Sequence, residues 1–409
     1  MTYLEELKSA LLADGGASLA RLLANMSALA SEADEVAGLP EGLFAGVDVR
    51  TLNCFFLPPE PGVESVLRDS VARCVLSELL GYADPALTVA LPGPGLTLAP
   101  VLDLAGEDQR RRYLARFARA EPTWAAFAMS EPSGGSNATH LSTTATLCGD
   151  GFRLDGEKCL IGNGGRASLI LVYATTASDR GQFGISPFLV DSTTLGLRVQ
   201  DDRPMLGLRA VRVASLYFED CRIPPEALLG STGGPDGAAA FLSAQRSWEY
   251  MRPALSAVMV GATLRMLDDL EATEGGLPRR ARESVVDLAA RVRPRAESVR
   301  LLAHHAAALF DLRRESAPIS SMAKVAAASL AKDAVSEALR VVLEAGAAQS
   351  TVGWDVSRWA RDFQAFEVLE GTTEVHRLMI SRAWAGRARR REHRRSRAGA
   401  GLAKATGTP

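Results

Sequence analysis

Apolar residues recur at helical spacing through the first 122 residues of the chain. One predicted helix face carries four leucines, Leu4, Leu7, Leu11 and Leu12. Residues 63–82 repeat apolar side chains at positions i, i+3, i+4 and i+7, and Gly81 near their end is typical of a helix C-terminus. Residues 107–117 form a further short amphipathic segment. The spacing therefore predicts an N-terminal helical domain over residues 1–122.

The pattern changes to short alternating segments after residue 123. Five segments fit β-strands: residues 145–156, 168–176, 186–191, 195–200 and 214–224. Glycine-containing turns at residues 148–151 and 154–156 interrupt the first of them. Short strands at regular spacing predict a small antiparallel β-barrel or sandwich over residues 123–237, which ends in a glycine-rich stretch.

Helical periodicity returns over residues 238–391. Four alanine-rich amphipathic segments cover residues 241–270, 282–312, 323–345 and 374–384. Gly275, Gly276 and Pro278 separate the first two segments, and residues 346–353 end the third. Long helices joined by short loops predict a C-terminal four-helix bundle.

The composition fits a globular protein. A chain of 409 residues with 47% apolar residues and a net charge of −2 accommodates two to three domains and excludes wholesale disorder. The best candidate for a membrane span, Ala254–Met266, is shorter than the ~18 residues that a membrane helix needs. Glu5 and Glu6 stand where a signal peptide would be basic or apolar. Five widely spaced cysteines without a CxxC motif indicate reduced thiols, so we expect a cytoplasmic protein without a membrane partner.

Positive charge is concentrated near the C-terminus. Residues 387–397 contain seven arginines and one glutamate. Such a segment can bind nucleic acid or an acidic partner. The small residues of 398–409 favour a solvated, disordered tail over residues 392–409, so we expect no nucleic-acid partner.

Two glycine-rich turns are candidates for cofactor contacts. Residues 127–136 (FAMSEPSGGS) leave a strand and turn through Gly134 and Gly135. This turn exposes Ser136 and backbone N–H groups, which suit an anion or a polar ring edge. Residues 156–165 (GEKCLIGNGG) end a strand in a second such turn. Each of them, taken alone, also fits an ordinary loop or hairpin.

The sequence lacks the common signatures of a metal or phosphate-loop site. Neither GxxxxGK[ST] nor HExxH occurs. His304 and His305 are adjacent and point apart on a helix, while His140 and His376 are isolated. We therefore expect no metal cofactor.

The strongest catalytic candidate is a glutamate in residues 368–374 (VLEGTTE). Glu370 follows the apolar Phe366, Val368 and Leu369, which predicts a partly desolvated carboxyl with a raised pKa. Such a carboxylate is a competent general base. Alternatively, Glu370 only stabilises the start of a helix whose N-cap is Thr372 or Thr373.

Taken in order, these stretches resemble the acyl-CoA dehydrogenase family over roughly residues 60–390. The matching segments are EDQRRRYL, FAMSEPSGGSN, DGEK followed by NGG, GLRAVRVASLYFEDCRIP, the Arg252-Pro253 pair, Arg361-Asp362 and LEGTTEVHRLMI. The resemblance implies an N-terminal helical domain, a middle antiparallel β-barrel domain and a C-terminal four-helix bundle. It also implies FAD bound between the last two, and oxidation of an acyl thioester.

The family's chemistry is α,β-dehydrogenation. A carboxylate removes the α-proton, the β-hydrogen leaves as hydride to the flavin, and hydrogen-bond donors hold the developing enolate. By this resemblance Glu370 is the catalytic base, and the substrate contacts are Ser136, Arg252, Leu369 and Gly371. The implied cofactor contacts are Phe127, Met129, Ser130, Gly135, Ser136, Leu160, Gly162, Thr372 and Glu374.

This chain departs from the family pattern at three places. Leu160 and Gly162 stand where the family has a tryptophan and a threonine, the family's RxxFG motif is missing at residues 273–280, and its GGxG turn is altered at residues 346–349. These departures suggest a specialised enzyme, for instance of secondary metabolism. The alternatives are a flavin-free isomerase or lyase with the same base, a flavin monooxygenase on this fold, or a non-catalytic scaffold.

The resemblance also implies partners. We expect a substrate carried on coenzyme A or an acyl carrier protein, and an electron-transfer protein or oxygen as electron acceptor. Family members are commonly built as homodimers or homotetramers through the C-terminal bundle.

Overall fold

The structure is a computed structural model that describes residues 9, 11, 13, 16–57, 67–136, 139–149, 151–201, 205–230, 237–272, 277–347 and 350–386. Three leucines of the predicted N-terminal stripe, Leu4, Leu7 and Leu12, lie outside these residues. The predicted disordered tail also lies outside them.

Helices occupy much of the first third of the chain, as the apolar spacing predicts. Their bounds are α1 (Gly16–Val36), α2 (Val49–Cys54), α3 (Ser70–Ala83), α4 (Pro85–Ala90), α5 (Leu98–Leu104) and α6 (Glu107–Leu114). Aspartates cap three of them, and Asp48 accepts a hydrogen bond from the Arg50 N–H (3.1 Å) at the start of α2. Asp69 accepts a hydrogen bond from the Ala72 N–H at the start of α3, and Asp84 accepts one from the Leu87 N–H at the start of α4, each at 2.7 Å.

Gly81 does not end α3, so its predicted role as a helix terminus is wrong. It lies where α3 crosses the long helix α7 (Gly237–Ala272), and a Cβ at this position would overlap the backbone of Val258. From the facing side, Gly261 is equally close to the backbone of Glu78. The two glycines let the helices approach closely, which is a tertiary requirement that resembles a local stop signal in the sequence.

We expect Gly81→Ala to lower the free energy of unfolding by about 1–3 kcal/mol, the usual range for overpacking a tight contact. Gly38→Ala is the matched control, because a Cβ there would meet its nearest atom at an ordinary 3.7 Å. Chemical denaturation followed by circular dichroism measures both variants. Equal stability of the two would contradict the close helix crossing.

Seven strands form one sheet in the middle of the chain. They lie between the N-terminal and the C-terminal helices, as the predicted fold class requires. Their bounds are β1 (Ala125–Ala128), β2 (Thr144–Cys148), β3 (Gly151–Ile161), β4 (Leu169–Thr175), β5 (Ile185–Asp191), β6 (Leu197–Asp201) and β7 (Ala214–Ile223). The strand order is β1-β4-β2-β3-β7-β6, and β5 also pairs with β4. The strand pairing differs in two details from that of a closed antiparallel barrel. Strands β1 and β4 run parallel, and among the described strands no pairing joins β6 to β1.

The turn predicted at residues 154–156 is absent, because β3 continues through Gly156. The register of β3 against β7 shifts between Leu154 and Gly156, which marks a β-bulge. Gly156 has a φ of +142°, and a Cβ there would lie 2.6 Å from the Cα of Thr143. The glycine is therefore needed for a bulge and a close backbone approach, and the strand does not stop there.

Long helices follow the sheet. Their bounds are α7 (Gly237–Ala272), α8 (Arg279–Asp311), α9 (Ala317–Glu344), α10 (Thr351–Phe366) and α11 (residues 373–386). The sequence pattern did not predict α10, because Gly353 resembles a helix breaker. Ser350 in fact caps this helix by accepting a hydrogen bond from the Gly353 N–H (3.3 Å). The sequence signal that would have predicted α10 is a stripe of apolar residues at helical spacing, all of them buried: Val356, Trp359, Phe363 and Phe366.

Buried apolar side chains of α7 pack against the N-terminal helices, the sheet and the other C-terminal helices. The largest core contains residues of α1, α3 and the C-terminal helices, so the first helices pack on the last ones. A second core lies within the sheet. A third joins the sheet to α7 through Met129, Tyr173 and Ala244. Each large apolar side chain buried in these cores contributes about 1.5–3 kcal/mol to the free energy of folding. In the described part of the chain, every helix is too short or too polar to serve as a membrane span.

Candidate active site

The predicted base lies in the turn between α10 and α11. The chain leaves α10 at Phe366, and α11 begins after Thr372, whose Oγ1 accepts a hydrogen bond from the Val375 N–H (3.3 Å). Between these helices Glu370 has a φ of +56° and Gly371 a φ of +105°. Positive φ is uncommon for a glutamate, and such conformations cluster at functional sites. An irregular turn therefore positions Glu370.

Glu370 is half-buried, and one oxygen of its carboxyl is withdrawn from water. Its Oε2 atom is buried and has no hydrogen-bond partner within the described residues. Burial raises the pKa of this carboxyl to about 7, although Arg252, Lys324 and Arg73 oppose the shift. The direction agrees with the expectation from its apolar neighbours in the sequence. Among the described contacts, no hydrogen bond joins this carboxyl to the N-terminus of α11, and the alternative that Glu370 stabilises the helix start through the helix dipole stays open.

Two buried cations hold the backbone of this turn. Arg252 on α7 directs its Nη2 to the Glu370 carbonyl oxygen at 3.4 Å. Lys324 on α9 donates its Nζ protons to the carbonyl oxygens of Gly371 (2.8 Å) and Glu367 (3.1 Å). Burial lowers the pKa of Lys324 to about 8 and that of Arg252 to about 10, so both are largely charged at neutral pH. Lys324 is a site residue that the sequence analysis missed.

Arg73 on α3 is the second missed residue. It is fully buried, and its Nη2 donates to the Tyr250 carbonyl oxygen at 2.6 Å. Tyr250 lies two residues before Arg252 on α7, and Arg73 is one of the three cations that act on the Glu370 carboxyl. The available signals were a basic residue within an apolar helix for Arg73 (VARCVL) and the same for Lys324 (MAKVAA).

The predicted flavin contacts on β1 connect to this turn through α7. The Phe127 ring packs against Tyr173 (5.2 Å between centroids) and Trp248 (6.1 Å). The Trp248 ring in turn lies 5.6 Å from the Arg252 guanidinium carbon. A continuous series of contacts therefore leads from the sheet, through Trp248 and Arg252, to the Glu370 backbone.

A buried ion pair holds the turn after β1. Lys158 donates to Glu131 at 2.8 Å and to the Met129 carbonyl oxygen at 3.2 Å. Glu131 also accepts backbone hydrogen bonds from Ser142 (2.6 Å) and Thr143 (2.9 Å). Although burial acts in the other direction, the bonds from Lys158 and these two amides lower the pKa of Glu131, so the carboxylate stays ionised. The pair fixes the backbone on both sides of the predicted cofactor turn.

The predicted cofactor residues that follow β1 and β3 lie at an exposed edge of the sheet. Ser130 is half-buried, and its carbonyl oxygen accepts a hydrogen bond from the Cys159 N–H (3.0 Å), while Gly135 and Ser136 are exposed. Leu160 has a φ of +55° and is 69% exposed despite being apolar. The described contacts do not join Ser136 to Glu370, so its predicted contact with substrate stays a prediction.

The residues around Gly371 differ in burial. Leu369 packs partly against the main core, and Glu374 is exposed on α11. His376 is buried beside Gly371, where a Cβ on the glycine would lie 3.2 Å from its Nε2. Burial lowers the pKa of His376 to about 3, so the ring is neutral. Gly371 is therefore required by both its φ and its histidine neighbour.

Two family models match the chain. The acyl-CoA dehydrogenase middle-domain model matches residues 126–221, and the acyl-CoA dehydrogenase C-terminal-domain model matches residues 241–385. The chain is 30% identical over 360 residues to a Mycobacterium tuberculosis protein named "Probable acyl-CoA dehydrogenase FadE25". That match covers 87% of this chain and 90% of the relative. The chain therefore belongs to the acyl-CoA dehydrogenase family, whose members are oxidoreductases acting on CH–CH bonds, and the resemblance is confirmed.

Solved structures of this family share the fold. Butyryl-CoA dehydrogenase from Megasphaera elsdenii superimposes with a TM-score of 0.80 at 22% identity, covering 94% of this chain and 99% of that one. The prolyl acyl carrier protein oxidase AnaB gives a TM-score of 0.75 at 20% identity, covering 90% and 99% respectively. These likenesses confirm the predicted fold class.

Proposed function

We propose that this chain is an FAD-dependent enzyme that introduces an α,β double bond into an acyl thioester, with Glu370 as the base. The observation that carries the proposal is the Glu370 carboxyl, whose Oε2 is buried without a hydrogen-bond partner in the described part of the chain and whose pKa is raised by burial against the effect of three cations. A poised carboxylate of this kind suits abstraction of a weakly acidic proton next to a carbonyl group.

The exposed edge fits a flat aromatic cofactor. Phe127 presents a half-buried ring, Leu160 is exposed although apolar, and a Cβ built at Gly162 would meet no atom within 4 Å. Such an open apolar edge suits the ring system of FAD. Phe127, Met129, Ser130 and Leu160 would hold the ring, and Thr372 and Glu374 lie at the start of α11, where backbone N–H groups suit phosphate oxygens. FAD, when bound, supplies the acceptor for the hydride from the β-carbon.

The protein's own groups perform the proton step. Glu370, in its carboxylate form, takes the proton from the carbon next to the thioester carbonyl. Arg252 and Lys324 hold the turn on both sides of Glu370 through its carbonyl and that of Gly371. Their positive charge also stabilises the negative charge that develops on the thioester oxygen.

Anaerobic titration of the FAD-loaded protein with acyl thioesters tests the proposal. Saturated acyl-CoA, acyl-pantetheine and acyl-carrier-protein substrates are compared, and bleaching of the visible flavin absorbance with formation of an enoyl product is the expected result. The comparison also decides between coenzyme A and a carrier protein. A protein that never binds FAD, or whose FAD is reduced by none of these substrates, would contradict the proposal.

A flavin-free isomerase or lyase is the second candidate, because the exposed Leu160 and Gly162 replace the tryptophan and the threonine of the family pattern, and Gly162 lacks the threonine hydroxyl. It predicts Glu370-dependent exchange of the α-proton in deuterated water without flavin. If the FAD-free protein exchanges the α-proton as fast as it converts the substrate, the isomerase or lyase is favoured over the dehydrogenase.

The rate of substrate oxidation is expected to rise with pH through about 7. The folded-state pKa of Glu370 is raised, so the carboxyl is protonated and inactive as a base below that value. Well below pH 7, kcat/KM should rise tenfold per pH unit, and above pH 7 it should level off. Because the charges of Arg252, Lys324 and Arg73 act to lower the pKa of this carboxyl, Lys324→Met should move the profile to higher pH. A profile flat from pH 5 to 8 would contradict the assignment.

We also propose that the chain forms a homo-oligomer and passes its electrons to an electron-transfer protein or to oxygen. The support is family membership alone. Sedimentation velocity tests the first proposal. Reoxidation of substrate-reduced protein, with and without air, tests the second.

A further inference from the structure

The turn that contains Glu370 has few backbone hydrogen bonds of its own. The Leu369 N–H still donates to a carbonyl oxygen of α10 (3.1 Å), and the next backbone donor of this kind is the Thr373 N–H. Within the described residues, the N–H groups of residues 370–372 donate to no backbone carbonyl group. Glu370 and Gly371, both with positive φ, therefore lie where backbone pairing does not fix the chain, so other contacts must hold this conformation.

Two residues join the ends of this turn. The Thr373 Oγ1 donates a hydrogen bond to the Glu367 Oε2 at 2.6 Å, and the Thr373 N–H donates to the Glu367 carbonyl oxygen at 3.3 Å. The hydroxyl of Thr372 caps α11, so that of Thr373 is not needed for the cap. Glu367 and Thr373 stand three positions before and three positions after Glu370. Hydrogen bonds to a carboxylate are stronger than those between neutral groups, and Thr373 is buried from competing water.

Glu367 is also connected to α9. The Lys332 Nζ lies 3.8 Å from the Glu367 Oε1, and the Lys324 Nζ donates to the Glu367 carbonyl oxygen at 3.1 Å. Lys324 donates in addition to the Gly371 carbonyl oxygen at 2.8 Å. Burial lowers the pKa of Lys324, and the negative charge of Glu367 is the largest effect that opposes this shift. Glu367 therefore supports the turn in two ways, through Thr373 and through the charge of Lys324.

We propose that Glu367 is a positioning residue for the base: its carboxylate closes the turn through the Thr373 hydroxyl and so keeps Glu370 in its irregular backbone conformation. The inference rests on the proposed function, because the base that it positions is Glu370. Without the hydroxyl–carboxylate bond, the turn can relax toward an ordinary negative φ. Water then reaches the Glu370 carboxyl, and burial no longer raises its pKa to the same extent.

Thr373→Val tests the proposal, because valine keeps the shape of the side chain and removes only the hydroxyl. We expect kcat/KM for substrate oxidation at high pH to fall about 10- to 100-fold, as for a slightly misplaced catalytic group. The midpoint of its pH profile should move from about 7 toward the ordinary value of 4.5, a shift that a merely structural role would not cause. Thr373→Ser keeps the hydroxyl and should preserve both the rate and the midpoint.

Hydrogen exchange of the full chain without substrate provides a second readout. The protected amides of residues 367–377 include those of Leu369, Thr373 and His376. In Thr373→Val they should exchange about 10- to 100-fold faster, which corresponds to the loss of one hydrogen bond to a charged group. Mass spectrometry of the peptide that spans these residues measures the rates, and circular dichroism verifies that the variant folds.

A second substitution tests whether the two side chains act as one unit. Glu367→Ala should cause the same changes, and adding Thr373→Val to it should have no further effect, because the hydroxyl acts through the carboxylate. Thr51→Val is the matched control. The Thr51 Oγ1 donates to the Asp48 Oδ2 at 2.8 Å in α2, so the variant loses the same kind of bond away from the turn. It should change neither the pH profile nor the exchange of residues 367–377.

Three results would overturn the proposal. They are an unchanged pH profile in Thr373→Val, unchanged exchange of the turn in that variant, and effects of Thr373→Val and Glu367→Ala that multiply in the double variant. The exchange measurement needs no substrate, so it separates this proposal from the proposed function. If the unsubstituted protein reduces FAD with no thioester, it is the proposed function that fails.

Discussion

Glu370→Gln is expected to slow flavin reduction by an acyl thioester by about 10²–10⁴-fold, the usual contribution of a positioned general base. Glutamine keeps the size of the side chain and its hydrogen-bonding atoms but cannot accept the α-proton. Stopped-flow absorbance of the FAD-loaded protein under anaerobic conditions measures the rate. Thioester affinity and FAD content should change little, because the backbone contacts of Arg252 and Lys324 do not involve the carboxyl.

Stability provides an independent check on the same variant. The folded-state pKa of Glu370 lies above its unfolded value, so the folded protein binds the extra proton between about pH 4.5 and 7. The contribution of this carboxyl to stability is therefore present at low pH and is lost as the pH rises through 7. Glu370→Gln should flatten this dependence, whereas Glu283→Gln on the exposed surface of α8 should alter neither rate nor pH dependence. A Glu370→Gln protein of nearly full activity would refute the assignment of the base.

Lys158→Met is expected to lower the free energy of unfolding by about 3–5 kcal/mol, because it leaves the Glu131 carboxylate buried without its cation. The two side chains are 0% and 2% exposed, so water cannot replace the lost partner. FAD content should also fall, since the pair fixes the turn that begins at Met129. Chemical denaturation followed by tryptophan fluorescence, together with the flavin-to-protein absorbance ratio, measures both effects.

The control for this prediction is an exposed ion pair. Arg111 and Asp108 are 73% and 71% exposed, so Asp108→Asn should change stability by about 0–1 kcal/mol. The double variant Glu131→Gln with Lys158→Met should regain part of the loss, because it removes the uncompensated charge. A Lys158→Met protein as stable as Asp108→Asn would show that the buried pair does not hold the turn.

Many of the structural predictions rest on short-range patterns. Helical spacing located α7, α8 and α9 within a few residues, and alternation placed the strands after residue 123. The errors share one cause: a glycine looks the same in sequence whether it ends an element or admits a neighbour. Gly81 permits a helix crossing, Gly156 permits a bulge, and Gly353 lies in the first turn of α10.

The residues of the candidate site also fall into two groups, those with a local sequence signal and those without one. Glu370 was identifiable because its apolar neighbours and the following glycine and threonines are consecutive in the chain. Lys324 and Arg73 were not, because a single basic residue in an apolar helix has no local signature of what it faces. Arg252 was found only through the family resemblance.

The order of helices, strands and helices, and the presence of one carboxyl in an apolar stretch, follow from the sequence alone. Periodicity, caps and neighbouring side chains act over a few residues, so a one-dimensional pattern contains them. Packing of α3, α7 and α9 decided which charges surround Glu370, and with them the pKa of its carboxyl. Desolvation and Coulomb interactions depend on distance through space, and Arg73 and Glu370 are brought together only when the chain folds.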